Sequence, residues 1–183
     1  MTSADTLQVL RAQQGDRAAL DGLLQSIQWP LFGYIARLVA RSGVAAEDVL
    51  QETLLRIVRN LEWLKEARYF RTWAFRIASR EAFRALGRSR SAPPLEELDE
   101  QLAAPPPMSR DEVRELGDFV ARLSAASQAV VVLHYYEELP LDEIADVLEI
   151  PLGTVKSRLA YGLKQLREMH GASPSRGEKR WTN

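Results

Sequence analysis

The chain has 183 residues, of which 46% are hydrophobic and 27% charged, so it can bury a core and remain in solution. It contains no cysteine, which excludes disulfides, thiolate metal sites and cysteine nucleophiles. There is no run of 18 apolar residues and no basic-then-apolar signal peptide. We therefore expect a cytoplasmic protein that does not insert directly into a membrane.

The charges are unevenly distributed, although the net charge is only −1. Residues 56–90 contain ten Lys or Arg against three acids, whereas residues 91–115 contain seven acids against two Arg. Blocks of opposite sign predict a surface that faces a polyanion, followed by an acidic segment with a different role.

The first half of the chain is predicted to be helical. Apolar residues recur at three- and four-residue steps over residues 5–87, and β-branched residues do not alternate as they would in strands. Asp16 is placed to cap the start of a helix, and Pro30 and Gly43 are expected to interrupt helices.

The middle of the chain is predicted to be a linker. Two proline clusters and many acids lie between residues 91 and 112, and such a segment buries little and cannot continue a helix. We therefore predict an all-α fold in which residues 1–90 and 113–170 form two small helical domains. The linker, 91–112, is extended, acidic and proline-rich, and residues 171–183 form a flexible tail.

The clearest local pattern lies at residues 141–169. A short amphipathic helix ends near Leu148, and Pro151, a residue favoured at the start of a helix, marks a second helix. This spacing predicts a helix-turn-helix, whose second helix enters the major groove by its N-terminal end. Short or basic side chains lie at that end: Thr154, Lys156, Ser157 and Arg158. A solvated basic face on an ordinary helical hairpin is the alternative interpretation.

The same segment resembles a known family. The strings LDEIA (141–145) and PLGTVKSRL (151–159) closely resemble the fourth conserved region of sigma-70 family sigma factors, especially the extracytoplasmic-function (ECF) group. The resemblance implies that this domain reads the −35 promoter element. The implied base contacts are Thr154, Lys156, Ser157 and Arg158. Lys164 lies further along the helix, where a phosphate contact is expected. Two positions depart from the pattern: Glu149 stands where glycine is common in the turn, and Ser124 where proline is common.

A second string, AEDVLQE at 46–52, resembles the second conserved region of the same family. The resemblance implies that this helix docks on the largest, beta-prime, subunit of core RNA polymerase, with beta as a further partner. Asp48, Gln51 and Glu52 are spaced i, i+3 and i+4, which places them on one face of the helix. A plain solvated face is the alternative.

A third string, FRTWAFRIA at 70–78, resembles the family's −10 melting motif, which captures non-template bases. Interleaved basic and aromatic residues suit single-stranded DNA, because a positive groove holds phosphates while bases stack on rings. The candidate −10 contacts are Arg71, Trp73, Arg76, Arg80, Arg84 and Arg88, the last four of these spaced every four residues. Core packing is the alternative for Trp73.

The first half of the chain also departs from the family pattern. Asparagine is common near Arg80 and aspartate near Arg84, and Leu54 and Val58 stand where phenylalanine and tryptophan are usual. These differences leave the −10 base preference open.

Together these motifs predict a sigma factor that binds core RNA polymerase and directs promoter recognition and DNA opening, on duplex and single-stranded DNA at the nucleoid. The resemblance also implies an anti-sigma factor as a partner. The alternative is a polymerase-independent helix-turn-helix regulator with an N-terminal effector domain. No enzyme, cofactor or metal site is expected, because the chain has no phosphate loop, nucleophile elbow or metal-ligand spacing. His134, in an apolar run, is expected to be a satisfied core histidine.

Overall fold

The computed structural model describes residues 3–88 and 108–171, with the side chains of residues 3, 4 and 88 left undescribed. Within these ranges the chain is helical. The helices are α1 Ser3–Gln13, α2 Arg17–Val39, α3 Ala46–Asn60, α4 Phe70–Arg88, α5 Arg110–Glu115, α6 Gly117–Val120, α7 Ala125–Tyr135, α8 Leu141–Leu148 and α9 Leu152–Gly171. Two 3₁₀ turns, Leu61–Trp63 and Ala67–Tyr69, connect α3 to α4. In the part of the chain described, no helix is long and apolar enough to cross a membrane.

The expected linker lies mostly outside the described residues, which resume at residue 108. Its predicted end was placed too late, because α5 begins at Arg110 rather than at residue 113. A capping box explains the earlier start: the Glu112 backbone N–H donates to Ser109 Oγ, and the Ser109 N–H donates to the Glu112 carboxylate. The expected tail lies outside the described residues from residue 172 onward.

The N-terminal helices pack around a shared core. Asp16 caps α2 as predicted, and its carboxylate accepts a hydrogen bond from the Ala19 backbone N–H at 3.0 Å. Tyr34 of α2 and Phe75 of α4 are fully buried and meet edge-to-face, with ring centroids 5.6 Å apart. Burial raises the pKa of Tyr34, whose hydroxyl lies 2.8 Å from Ser79 Oγ.

The prediction that Pro30 interrupts a helix was wrong. Pro30 lies inside α2, which is continuous from Arg17 to Val39. A proline removes one helical hydrogen bond, but buried side chains on both sides of it, Ile27 and Leu31, anchor the helix in the core. Gly43, by contrast, follows the end of α2 with a φ of +72°, a left-handed conformation that favours glycine.

The C-terminal helices form a second core around α7, where Val130, Val131, Val132 and Leu133 are all fully buried. Ser124 caps α7 by accepting a hydrogen bond from the Ser127 N–H, so it starts the helix without proline. His134 lies beside this core, half-buried, with Nδ1 3.0 Å from the Leu139 carbonyl oxygen, as expected for a satisfied histidine.

The predicted helix-turn-helix is confirmed. Three residues separate α8 from α9, and Glu149 makes the turn in the left-handed conformation, with φ 56° and ψ 44°. The Ile150 N–H donates to the Ala145 carbonyl oxygen. The carbonyl oxygen of Pro151, the residue just before α9, accepts a hydrogen bond from the Val155 N–H. The two helical halves pack against one another, α4 against α8 and α2 against α7.

Candidate nucleic-acid interface

One outward face of α3 carries the residues expected to bind polymerase. Val49, Thr53 and Ile57 are buried, which turns Asp48 and Gln51 outward to an exposed position. Two apolar side chains are exposed further along α3, Leu55 and Val58. Together the four outward residues make a face with an acidic and polar start and an apolar end.

Glu52 lies at the edge of that face, half-buried, and its carboxylate forms an ion pair with Arg56 at 2.9 Å. Arg56 also lies 2.9 Å from Glu81 of α4. The polymerase candidates are therefore connected, through a single guanidinium, to the helix that carries the −10 candidates.

A cavity of about 320 Å³ opens between α3, the first 3₁₀ turn and α4. Its lining is basic and aromatic: Arg56, Asn60, Trp63, Trp73, Ile77, Arg80, Glu81 and Arg84. Trp63 is 74% exposed, an unusual state for so large an apolar side chain. The cavity can therefore offer both guanidinium groups and a ring face to a ligand.

Three of the predicted −10 residues line this cavity: Trp73, Arg80 and Arg84. Trp73 is half-buried and packs against Phe70, so it serves the core and the cavity together. The sequence did not predict Arg56, Asn60 and Trp63 as lining residues. These three residues precede α4 in the chain, and only the packing of α3 on α4 brings them to the cavity. The excess of ten basic residues over three acids in residues 56–90 was the one sequence signal for a basic site here.

Glu81 is the buried charge beneath this cavity, with only 4% of its surface exposed. Both of its carboxylate oxygens accept hydrogen bonds from Arg84, at 2.6 and 2.7 Å, and one lies 2.9 Å from Arg56. A buried carboxylate needs such partners, and here it fixes two guanidinium groups at the cavity.

The predicted basic stripe on α4 is divided between two sets of partners. Arg76 and Arg80 both turn toward the C-terminal half, whereas Arg84 is held by Glu81 within α4. Arg76 Nε donates to the Asp146 carbonyl oxygen at 2.9 Å. The side chain of Arg88 lies outside the described part of the structure.

Arg71 also contacts the C-terminal half, at the segment that joins α7 to α8. It donates to the Glu137 carbonyl oxygen at 2.8 Å and to the Glu137 carboxylate at 3.0 Å. Burial raises the pKa of Glu137, and the guanidinium of Arg71 opposes that shift. Next to this pair, the Thr72 hydroxyl donates to the Glu143 carboxylate at 2.7 Å.

The start of α9 is more open. Lys156 and Lys164 are exposed, while Thr154, Ser157 and Arg158 are half-buried. Ser157 Oγ donates to the Thr154 carbonyl at 3.1 Å, a local bond that a base or phosphate contact could replace. Partial burial lowers the pKa of Arg158, which still remains a cation at neutral pH.

These features define a class of protein: a helical DNA-binding protein with a helix-turn-helix in one half and a basic, aromatic cavity in the other. The family comparison agrees and is more specific. Sigma-70 region 2 matches residues 10–92, and Sigma-70 region 4 matches residues 119–168. The chain belongs to the sigma-70 family, in its ECF group.

Curated relatives and solved structures match along most of the chain. It is 28% identical over 170 residues to the ECF RNA polymerase sigma-E factor of Haemophilus influenzae, covering 85% of this chain and 89% of that protein. It is 35% identical over 144 residues to the ECF sigma factor SigL of Mycobacterium tuberculosis, covering 75% and 80%.

Among solved structures, CnrH in complex with the cytosolic domain of CnrY has a similar fold, with a TM-score of 0.69 at 22% identity, covering 94% of this chain and 100% of that one. RpoE of Bartonella quintana, in complex with the anti-sigma factor NepR, has a TM-score of 0.61 at 18% identity, covering 84% and 98%.

The prediction of a sigma factor that directs promoter recognition is therefore confirmed, and the polymerase-independent regulator is not favoured. Regions 2 and 4 imply binding to core RNA polymerase and to promoter DNA. Sigma factors are not enzymes, and the family supplies specificity to a polymerase that makes the RNA.

Proposed function

We propose a division of labour between the two halves of the chain. Residues 1–90 dock on core polymerase and open the −10 element, the helices α5 to α9 read the −35 element, and the residues between the two halves connect them. The matches to region 2 over 10–92 and to region 4 over 119–168 support this division.

The docking surface in this proposal is the outward face of α3. Asp48, Gln51 and Glu52 supply its polar start, and Leu55 and Val58 supply exposed apolar area. A polar rim beside apolar area is the composition of a stable protein interface, because the apolar part provides burial and the charges fix the orientation. The beta-prime subunit is the proposed partner of this face, with beta contacting other parts of the protein.

The cavity between α3 and α4 is the observation that best supports strand opening. An extruded base loses a few kcal/mol of stacking and pairing, which a pocket must return through stacking and hydrogen bonds. Trp63 and Trp73 offer ring faces, and Arg80 and Arg84 offer phosphate partners. With Arg71, Arg76 and Arg88, they form the proposed −10 contact set.

The proposed −35 contact set lies at the start of α9. Thr154, Lys156, Ser157 and Arg158 fall within the first two turns of the helix, where major-groove readers contact base edges. The unpaired backbone N–H groups of the first turn favour a phosphate there as well. Lys164, two turns further along, is exposed and reaches the DNA backbone.

An anti-sigma factor is the proposed regulatory partner. RpoE of Bartonella quintana was solved with an anti-sigma factor, and its fold is similar to that of this chain. A tagged chain, recovered from its native cells under non-inducing conditions, should bring down a second protein in stoichiometric amount. The polymerase subunits should be absent from that complex. Recovery of polymerase alone under every condition tried would contradict this proposal.

In vitro transcription tests the function as a whole. Core polymerase, the purified chain and a library of genomic DNA fragments should yield discrete RNA 5′ ends that share two upstream sequence elements at a constant spacing. Start sites that require the chain but share only the downstream element would contradict the role of α9. Specific duplex binding by the chain alone, without initiation, would contradict the division of labour.

A further inference from the structure

The acidic side of the helix-turn-helix covers the basic side of α4. Among the described residues, hydrogen bonds join Arg71, Thr72, Arg76 and Arg80 of α4 to the segment from Glu137 to Glu149. Arg80 makes the shortest of these contacts. Its Nε and Nη2 donate to the two carboxylate oxygens of Glu149 at 2.8 and 2.6 Å, the two-pronged geometry with which arginine also binds phosphate.

Glu149 occupies the left-handed conformation, with φ 56°, where a side chain is strained and glycine is favoured. Arg80 and Glu149 meet in space although 69 residues separate them in the chain. The strained turn therefore carries a side chain that has a partner, rather than the residue the backbone prefers.

We propose that Arg80 and Glu149 form an interdomain latch that holds the helix-turn-helix over the DNA face of α4, so that the free chain is closed to −10 DNA. The masking part of this inference rests on the proposed function of α4. In the closed arrangement the Glu149 carboxylate occupies the position of a phosphate on Arg80. Arg80 also lines the cavity proposed for the extruded base, so the latch engages one of the side chains of that cavity.

The closed arrangement leaves a route for opening. Asp48 and Gln51, at the proposed polymerase face, stay exposed while α4 is covered, so polymerase can engage the closed chain. The latch is also weak enough to release: the side chains of Arg80 and Glu149 are 56% and 47% exposed, and water screens such a pair. A surface pair of this kind shifts an equilibrium by up to about fivefold, and less in high salt.

Distance measurements between the two halves test the latch directly. The chain has no cysteine, so Gln25→Cys on α2 and Glu168→Cys on α9, both exposed positions, can carry paired spin labels in the full-length protein. We expect one short, narrow distance for the parent. Glu149→Gln should raise the ratio of open to closed molecules by about two- to fivefold.

The matched control is Glu66→Gln. Glu66 is an exposed acid whose ion pair, with Arg68 at 2.6 Å, stays within one turn of the chain. The Glu66→Gln substitution removes one negative charge, as Glu149→Gln does, but breaks no contact across the interface. It should therefore leave the distance between the spin labels unchanged. Arg80→Glu should open the chain, and adding Glu149→Arg should close it again. The latch is overturned if Glu149→Gln behaves like Glu66→Gln, or if the exchanged pair stays as open as Arg80→Glu alone.

A second measurement tests whether the latch masks a DNA face. A fluorescent 20-nucleotide oligothymidylate should bind Glu149→Gln more tightly than Glu66→Gln, by the same factor as the change in opening. Equal affinities, alongside a changed distance, would overturn the masking. Arg84 is a proposed −10 contact whose hydrogen bonds stay within α4. Adding Arg84→Ala to Glu149→Gln should then weaken binding; if it does not, the DNA assignment of α4 fails while the distance data still establish the latch.

Discussion

The two surfaces proposed to bind DNA carry similar side chains but differ in what surrounds them. On α4, Arg71, Arg76 and Arg80 each contact the C-terminal half of the same chain. At the start of α9, Lys156 is exposed to solvent. Basic residues in a sequence therefore indicate which surfaces can bind DNA, but they do not indicate which surface is available before the protein changes shape.

This contrast has a physical basis. The acids that cover α4 lie on α8 and its flanking turns, and α8 precedes the reading helix in the helix-turn-helix. The domain thus faces α4 with its acidic side and leaves its basic helix turned elsewhere. One domain thus presents carboxylates to the proposed −10 surface, while Lys156 and Lys164 of its own basic helix stay exposed.

The largest effect is expected from the outward face of α3, because polymerase binding at this face would bring both proposed DNA surfaces into one complex. Asp48→Arg with Glu52→Arg should lower affinity for core polymerase by more than about tenfold, because like charges at an interface cost several kcal/mol. Fluorescence anisotropy with labelled chain measures this. Asp21→Arg with Glu168→Arg makes the same change in charge at exposed sites elsewhere and should have little effect. Unchanged affinity in the α3 variant would remove the docking assignment.

Arg158→Ala tests the proposed −35 surface at the start of α9. Loss of a base-directed arginine should weaken binding to a cognate promoter duplex by roughly 1–3 kcal/mol while core polymerase binding stays normal. Competition between promoter DNA and scrambled DNA, with the holoenzyme, measures the loss of specificity. Arg17→Ala, an exposed arginine on α2, is the matched control. If Arg158→Ala released polymerase instead, the roles of the two halves would be reversed.

The arrangement of arginines at the proposed −10 surface of α4 depends on Glu81. Glu81→Gln should destabilise the N-terminal half, because it leaves Arg56 and Arg84 beside a neutral amide. A fully buried pair loses about 3–5 kcal/mol in this way, but these arginines are 41% and 47% exposed, so about 1–2 kcal/mol is expected.

Urea unfolding followed by tryptophan fluorescence measures this change, since Trp29, Trp63 and Trp73 all report on the N-terminal half. Glu66→Gln, whose ion pair is exposed, should cost less than about 0.5 kcal/mol. Equal stability of the two variants would show that Glu81 does not hold the cavity arginines.

The smallest effect is expected at Lys164. Lys164→Ala should weaken binding to all duplexes alike, by less than about 1 kcal/mol, and reduce the slope of log affinity against log salt by about 1, because one phosphate contact is lost. A salt titration on cognate and scrambled duplexes measures both. A change in sequence preference would place Lys164 among the base contacts instead.

Much of the fold could be predicted because its signals are local. Asp16 and Pro151 mark helix starts through the chemistry of a few neighbouring residues, and apolar spacing marks the buried faces. Pro30 and the start of α5 were mispredicted for opposite reasons. At Pro30 tertiary packing outweighed a local signal, while the capping box of Ser109 and Glu112 was a local signal that the acidic composition obscured.

The sequence by itself determined the helices, the helix-turn-helix and the family, because each depends on patterns that repeat within a few turns. Only the tertiary structure decided that Arg56 and Trp63 share a cavity with α4, that Glu81 is buried beneath it, and that Arg80 meets Glu149. Arg80 lies on α4 and Glu149, 69 residues later, in the turn after α8, and the relative placement of these helices is set by the packing of whole faces. Local periodicity places a charge on a helix face, and the fold of the whole chain decides what that charge meets.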